Sequence, residues 1–164
     1  MEQETIQITL PSSKSLSNRW LMLDYMSRTG IKIKNISSSN DTQQLGRLLH
    51  QLKAGRRHNF DCRDAATVAR FLLALLSITP GKHTLTGSEQ LCKRPMGQLI
   101  DALRTAGCSI ECTGEEGHLP VKIDGVIPTG RRIVIDCSVS SQYASALLLA
   151  AATMRGAARP SDHT

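Results

Sequence analysis

The stretch Ser12-Ser13-Lys14-Ser15-Leu16-Ser17-Asn18-Arg19 sets hydroxyls, an ammonium and a guanidinium directly before the apolar Trp20-Leu21-Met22-Leu23. It predicts a helix start, whose first turn offers unpaired backbone N–H groups and the positive end of the helix dipole. Ser12 or Ser13 can cap that helix, and Ser15 and Arg19, four residues apart, share one face. Lys14 stands at the mouth of the same turn. The chemistry on offer is capture of a phosphate or carboxylate, although a Ser-rich helix start is also what ordinary capping looks like. Two more helices open in the same manner, at Asp64-Ala65-Ala66-Thr67 and at Ser140-Ser141-Gln142, each then turning apolar. A fourth begins at Pro95, a good first helical residue, with Arg94 just outside it. If the three inner helices stack in parallel, their starts converge with Lys14, Arg19 and Arg94 on one polyanionic ligand.

The elements that must position these groups follow from apolar periodicity. Helices are expected over Lys14–Arg28, Asp41–Lys53, Ala65–Ile78 and Pro95–Ala106, and a fifth, apolar nearly all round, over Ser140–Thr153. Short β-like pieces lie at Ile6–Leu10, Ile31–Ile36, His83–Thr86, Ser109–Cys112, Val121–Ile123 and Arg132–Ile135. The order of strand, inner helix, strand, outer helix and further strands occurs twice, and Ser140 opens a third unit. By the same spacing the outer helix of that unit would begin near or beyond Thr164, so a truncated chain is expected. The aperiodic stretch 155–164 reads as a frayed or non-native tail.

Composition bounds the class. The 164 residues are 40% hydrophobic but only 3% aromatic, so Leu, Ile, Val, Ala and Met must build the core. A formal charge of +6 suits acidic ligands; the cations are scattered and lack aromatic interleaving, which argues against nucleic acid. No basic-then-apolar leader and no run of membrane-spanning length is present, so the expected setting is the cytoplasm, with no membrane association. Cys62, Cys92, Cys108, Cys112 and Cys137 are odd in number and lack paired CxxC spacing, which reads as free thiols. His50, His58, His83 and His118 are expected on solvated surface. No metal site is expected.

The motifs also resemble a known family. Ser13-Lys14-Ser15-Leu16-Ser17-Asn18-Arg19 is similar to the S-K-S-x-S-x-R signature of the 5-enolpyruvylshikimate-3-phosphate synthases. Three further blocks match in the same order: Asp64 to Leu72, Lys93-Arg94-Pro95-Met96-Gly97 with Asp101-Ala102-Leu103, and Val139-Ser140-Ser141-Gln142-Tyr143. The resemblance implies an α/β fold of repeated βαβαββ units whose inner helices are covered by sheets, an inside-out α/β barrel of the enolpyruvyl transferase type. This chain would be one incomplete lobe of two. Residues 1–12 would then be a strand and crossover toward the second lobe, and 13–154 a substrate-binding lobe. Between the second helix and Asp64 only Gly55 to Arg63 intervene, where many members carry a longer strand pair.

The resemblance further implies an activity: transfer of the enolpyruvyl group of phosphoenolpyruvate to the 5-hydroxyl of shikimate 3-phosphate, by a cytoplasmic monomer without a cofactor. Lys14, Ser15, Arg19, Ser140, Ser141 and Gln142 match residues that hold shikimate 3-phosphate. Lys14, Ala66, Arg94 and Gln142 match the phosphoenolpyruvate subsite, and Lys14 is the one catalytic group expected here. Arg70 reads as a ligand contact or as a structural or surface charge, Thr67 as a helix-start residue, and Lys93 and Asp101 as solvated charges. Two departures bear on affinity. Asp64 places a negative charge where the family has Asn, and Ala66 replaces a glycine beside the pocket in which glyphosate competes with phosphoenolpyruvate. The acid–base carboxylates belong to the family's second lobe, so the chain alone is expected to be inactive. The alternatives are a non-catalytic anion-binding fragment and the related UDP-N-acetylglucosamine enolpyruvyl transferases. The latter carry Lys-Asn where Lys14-Ser15 stands, and a loop cysteine several residues before an Arg-Pro pair rather than two, as Cys92 is.

Overall fold

A computed structural model of the chain describes residues 11–27, 30–55, 58–126 and 133–157. The expected strand at Ile6–Leu10, the residue Arg132 and the tail beyond Ala157 lie outside the described residues. The most apolar helix is the centre of the structure. α3 (Ala66–Ser77) buries every residue from Val68 to Ser77, as a helix that is hydrophobic all round must. Around it pack α2 (Asn40–Ala54), α5 (Gly97–Thr105), α6 (Ser141–Ala157) and one face of a four-stranded sheet. α1 (Lys14–Ser27) lies against α2 and α6, and the single turn α4 (Glu89–Cys92) leads into α5.

The sheet has the order β1 (Asn59–Asp61), β2 (Gly81–Thr86), β4 (Val121–Gly125), β3 (Ser109–Cys112). β1 and β2 are parallel, joined through α3, whereas β2–β4 and β3–β4 are antiparallel. Alternation along the strands turns Phe60, His83, Leu85, Ile110, Val121 and Ile123 inward, and the intervening positions are polar. The inward face therefore lays a continuous apolar surface on α3. Gly125 marks the tightest approach: a Cβ there would lie 1.8 Å from the Thr79 carbonyl oxygen, so only glycine lets β4 pass the end of α3.

Local chemistry sets the helix ends. Ser39 caps α2 through the Thr42 N–H, and Gly55, at φ +63°, ends it in the left-handed conformation. The Ser13 hydroxyl accepts from the Leu16 N–H to cap α1, and Ser140 accepts from the Gln142 N–H to cap α6. The expected helix ends thus stand to within one or two residues, except that α6 runs four residues past the expected Thr153, three of them in the stretch expected to be frayed.

Several expectations fail for identifiable reasons. Ile31–Ile36 is not a strand: it finds no ladder partner among the described residues, and Ile31 and Ile36 are both 41% exposed. Residues 133–137 are likewise irregular. The strand-and-helix repeat is therefore seen in full only around α3. β1 and α4, of three and four residues, are too short to show a period in the sequence. His83 is buried, not solvated, because β2 turns it inward beside Phe60 and His58. All five cysteines are free, with Cys62 and Cys108 buried. No helix among the described residues is long and apolar enough to cross a membrane.

Candidate anion site at the helix starts

The starts of α1, α3 and α6 are tied together by side chains. On α1, Arg19 folds back one turn, donating to the Ser15 hydroxyl and, at 3.0 Å, to the Ser15 carbonyl. Its other terminal nitrogen donates to the Ser145 hydroxyl of α6 at 3.0 Å, and its guanidinium lies 5.8 Å from the Phe71 ring of α3. One cation thereby touches all three helices. Between α3 and α6 the link is Gln142, whose amide accepts from Arg70 at 2.6 Å and donates to Thr67 at 2.9 Å.

The start of α3 is the least satisfied of the three. No side chain caps it, and Ala65 and Ala66 leave its first turn open. Asp64, a sound cap by residue type, accepts instead from the Ser88 hydroxyl, and Ser88 in turn caps α4 through the Leu91 N–H. That chain of bonds fixes the α3 start against the turn leading to Arg94. A Cβ on the adjacent Gly87 would meet the Arg63 carbonyl oxygen at 2.7 Å, so the junction is closely packed. Arg94 is exposed on the α4–α5 turn. Its neighbour Pro95 accepts a 2.8 Å hydrogen bond from Tyr143, a fully buried residue of α6.

Lys14 is paired with Asp41 of α2 at 3.0 Å. The pair is partly exposed, a setting in which ion pairs are worth about 0–1 kcal/mol, so an anionic ligand can compete for the ammonium. Ser141 is exposed at the first residue of α6, and Ala66 is half-buried at the first residue of α3. The expected site residues lie on a helix start or the turn beside one, except Arg19, one turn into α1. Arg19 and Gln142 bridge to other helices, whereas Ser15 holds Arg19 within α1, Ser140 caps its own α6, Lys14 is joined to α2 and Arg94 only through its neighbour. Lys93 pairs with Glu89, and Asp101 lies 3.7 Å from Arg104, both as surface charges.

Five residues gain a role that composition had not given them. Among the described residues Arg70 has no ion partner, and it is no surface charge: it is buried and holds Gln142. Thr67 holds the other end of the same amide. Ser145 receives Arg19, and its four-residue spacing from Ser141 was the available signal. Asn18 is buried and accepts from the Thr42 hydroxyl, while Ser17, also buried, accepts from the Ser37 N–H. Asn18 thus joins α1 to α2, and Ser17 joins it to the segment just before α2. Two grooves, of about 620 and 360 Å³, lie along α2, and none of the expected site residues lines either. Among the described residues no group of three or more His, Cys, Asp or Glu is placed to hold a metal ion.

A buried helix packed among others and covered on one flank by a four-stranded sheet makes this an α/β protein, with cations and hydroxyls gathered near three helix starts. Comparison with known proteins gives the family. The model of the EPSP synthase (3-phosphoshikimate 1-carboxyvinyltransferase) family matches residues 54–160, and the chain belongs to that family. A 3-phosphoshikimate 1-carboxyvinyltransferase of Bacteroides fragilis (strain YCH46) is 43% identical over 144 residues, which is 87% of this chain and 34% of that protein. One from Sulfurovum sp. (strain NBC37-1) is 34% identical over 172 residues, 92% of this chain and 40% of that protein. The solved EPSP synthase from Acinetobacter baumannii superposes with a TM-score of 0.73 at 25% identity, covering 87% of this chain and 37% of its own. The fold expected from the motifs is that of these proteins. The chain spans about a third to two-fifths of the length of these relatives.

Proposed function

We propose that this chain supplies the shikimate 3-phosphate seat and part of the phosphoenolpyruvate seat of a 3-phosphoshikimate 1-carboxyvinyltransferase. The observation that carries the reading is the junction of three helix starts through Arg19 and Gln142 in a member of this family. Ser15, Arg19, Ser140 and Ser141 hold the phosphate and carboxylate of shikimate 3-phosphate, and Gln142 lies between the two substrates. Lys14 and Arg94 neutralise phosphoenolpyruvate, with Arg94 able to grip carboxylate or phosphate through paired hydrogen bonds.

In the reaction, the methylene carbon of phosphoenolpyruvate gains a proton and its C2 is attacked by the 5-hydroxyl of shikimate 3-phosphate. The tetrahedral adduct then loses phosphate and a methyl proton, which restores the vinyl group on the new ether. The cations here stabilise charge along that course, and the hydroxyls orient the acceptor. The proton transfers require positioned acids and bases, which this reading assigns to a part of the family's length that the chain does not span. A cytoplasmic, monomeric setting belongs to the same reading.

The test is turnover. The chain alone should release no phosphate from the two substrates, and adding a polypeptide that spans the rest of the family's length should restore release. Release by the chain alone, in a preparation free of host enzyme, places the acid–base groups within it and overturns the assignment. Failure of shikimate 3-phosphate to shift any amide near Ser15, Arg19, Ser140 or Ser141 in an NMR titration overturns the seat itself.

A further inference from the structure

The amide of Gln142 is held at both ends before any ligand arrives. Arginine has donors only, so the group facing Arg70 at 2.6 Å must be the amide oxygen. The nitrogen is then forced to the other side, where one of its two protons goes to the Thr67 hydroxyl at 2.9 Å. Its second N–H remains available, and no acceptor on the amide faces that side. Arg70, which enforces this, is 9% exposed as a residue; its guanidinium stacks 5.3 Å from the Tyr143 ring, and its buried Nε has no hydrogen-bond partner. Among the described residues it has no carboxylate partner, so a positive charge stands uncompensated behind Gln142 at the open start of α3.

We propose that Arg70 and Thr67 are positioning residues that lock Gln142 in the one orientation presenting only an N–H donor, making the α3–α6 junction selective for an anionic oxygen. The inference rests on the reading of this junction as an anion seat and adds the origin of its preference. A free amide would present either end; a locked one rejects a ligand group that needs an acceptor, because its donor would be left facing a donor.

The experiment is a titration of the ¹⁵N-labelled chain with inorganic phosphate, read at the Gln142 side-chain amide and at the backbone amides of Ala66 and Thr67. All three should shift together. Thr67→Ser keeps the hydroxyl and should keep the Gln142 response, whereas Thr67→Val should lose it. In Gln142→Glu the new carboxylate takes Arg70 as an ion partner, so the melting temperature should hold or rise while phosphate affinity falls at least about tenfold. If the Ala66 and Thr67 backbone amides shift while the Gln142 side chain stays still, the locking is wrong and the anion seat stands. An undiminished response in Thr67→Val also overturns the locking. If none of the three signals moves, the anion seat is wrong and the locking falls with it.

Discussion

The unit around α3 and the pair formed by α1 and α6 are built from similar helices and end in similar polar starts, yet their surroundings differ completely. α3 meets helices on several sides and the sheet on another, and every residue from Val68 onward is buried. α1 and α6 are less covered: Leu16 and Trp20 of α1 are 59% and 47% exposed, and Leu148 of α6 is 72% exposed. The helix starts nevertheless join in both regions, through Arg19–Ser145 and through Gln142. The junction therefore depends on helix–helix packing, and the sheet contributes by fixing the one helix to which the others attach.

The largest effect that could break this comparison is loss of the α3 core. Phe71→Ala removes a fully buried ring and should cost about 3–5 kcal/mol, while Trp20→Ala on α1 should cost about 1 kcal/mol or less. Denaturant unfolding of the two variants checks the difference, and equal costs would mean that α1 is as well covered as α3. A smaller effect concerns the open α3 start. On the proposed function, the Ala66 methyl takes space where the resemblance puts a glycine, and glyphosate is longer than the phosphoenolpyruvate it would displace. Ala66→Gly should therefore tighten glyphosate inhibition by ~1–3 kcal/mol, roughly fivefold to 150-fold. Inhibition of the reconstituted activity, with and without the substitution at one phosphoenolpyruvate concentration, decides it. Equal sensitivity would remove Ala66 from the pocket.

The smallest effect is in pH. Burial holds the His83 imidazole below its ordinary value, outweighing the Thr79 carbonyl that faces Nε2 at 3.1 Å; His58 pushes the same way as burial, and Asp124 opposes it. The unfolded chain then takes up the proton first, so stability is full above about pH 6.5 and declines as pH falls from there through the lowered folded value. The difference in melting temperature between pH 7.5 and 5.5 should shrink in His83→Leu. Because His83 belongs to the sheet-covered unit, an unchanged difference would move the acid sensitivity out of that region.

Much of this was legible in the sequence where a pattern was long enough to carry it. The helices declared themselves by apolar period and by serine or proline at their starts, and the four motif blocks named the family. The strand β1 did not, since Asn59-Phe60-Asp61 offers a single inward residue. Ile31–Ile36 alternates like a strand, but alternation supplies no hydrogen-bonding neighbour, and the backbone stays irregular without one. His83, expected on solvated surface, is set inward by the alternation of β2, which begins at Gly81. Asp64 had the right type for a cap, yet Ser88 claimed its carboxylate.

The sequence by itself determined which residues begin helices and which chemical groups those starts carry, because capping and periodicity act between residues a few positions apart. It also determined the family, through motifs whose spacing is local. Only the tertiary structure decided that Arg19 reaches Ser145, that Gln142 lies between Arg70 and Thr67, and that Arg70 is buried behind it. These partners are separated by 126, 72 and 75 positions. Contacts at such separation are set by how α3 packs against α1, α6 and the sheet, and by no pattern within any one of them.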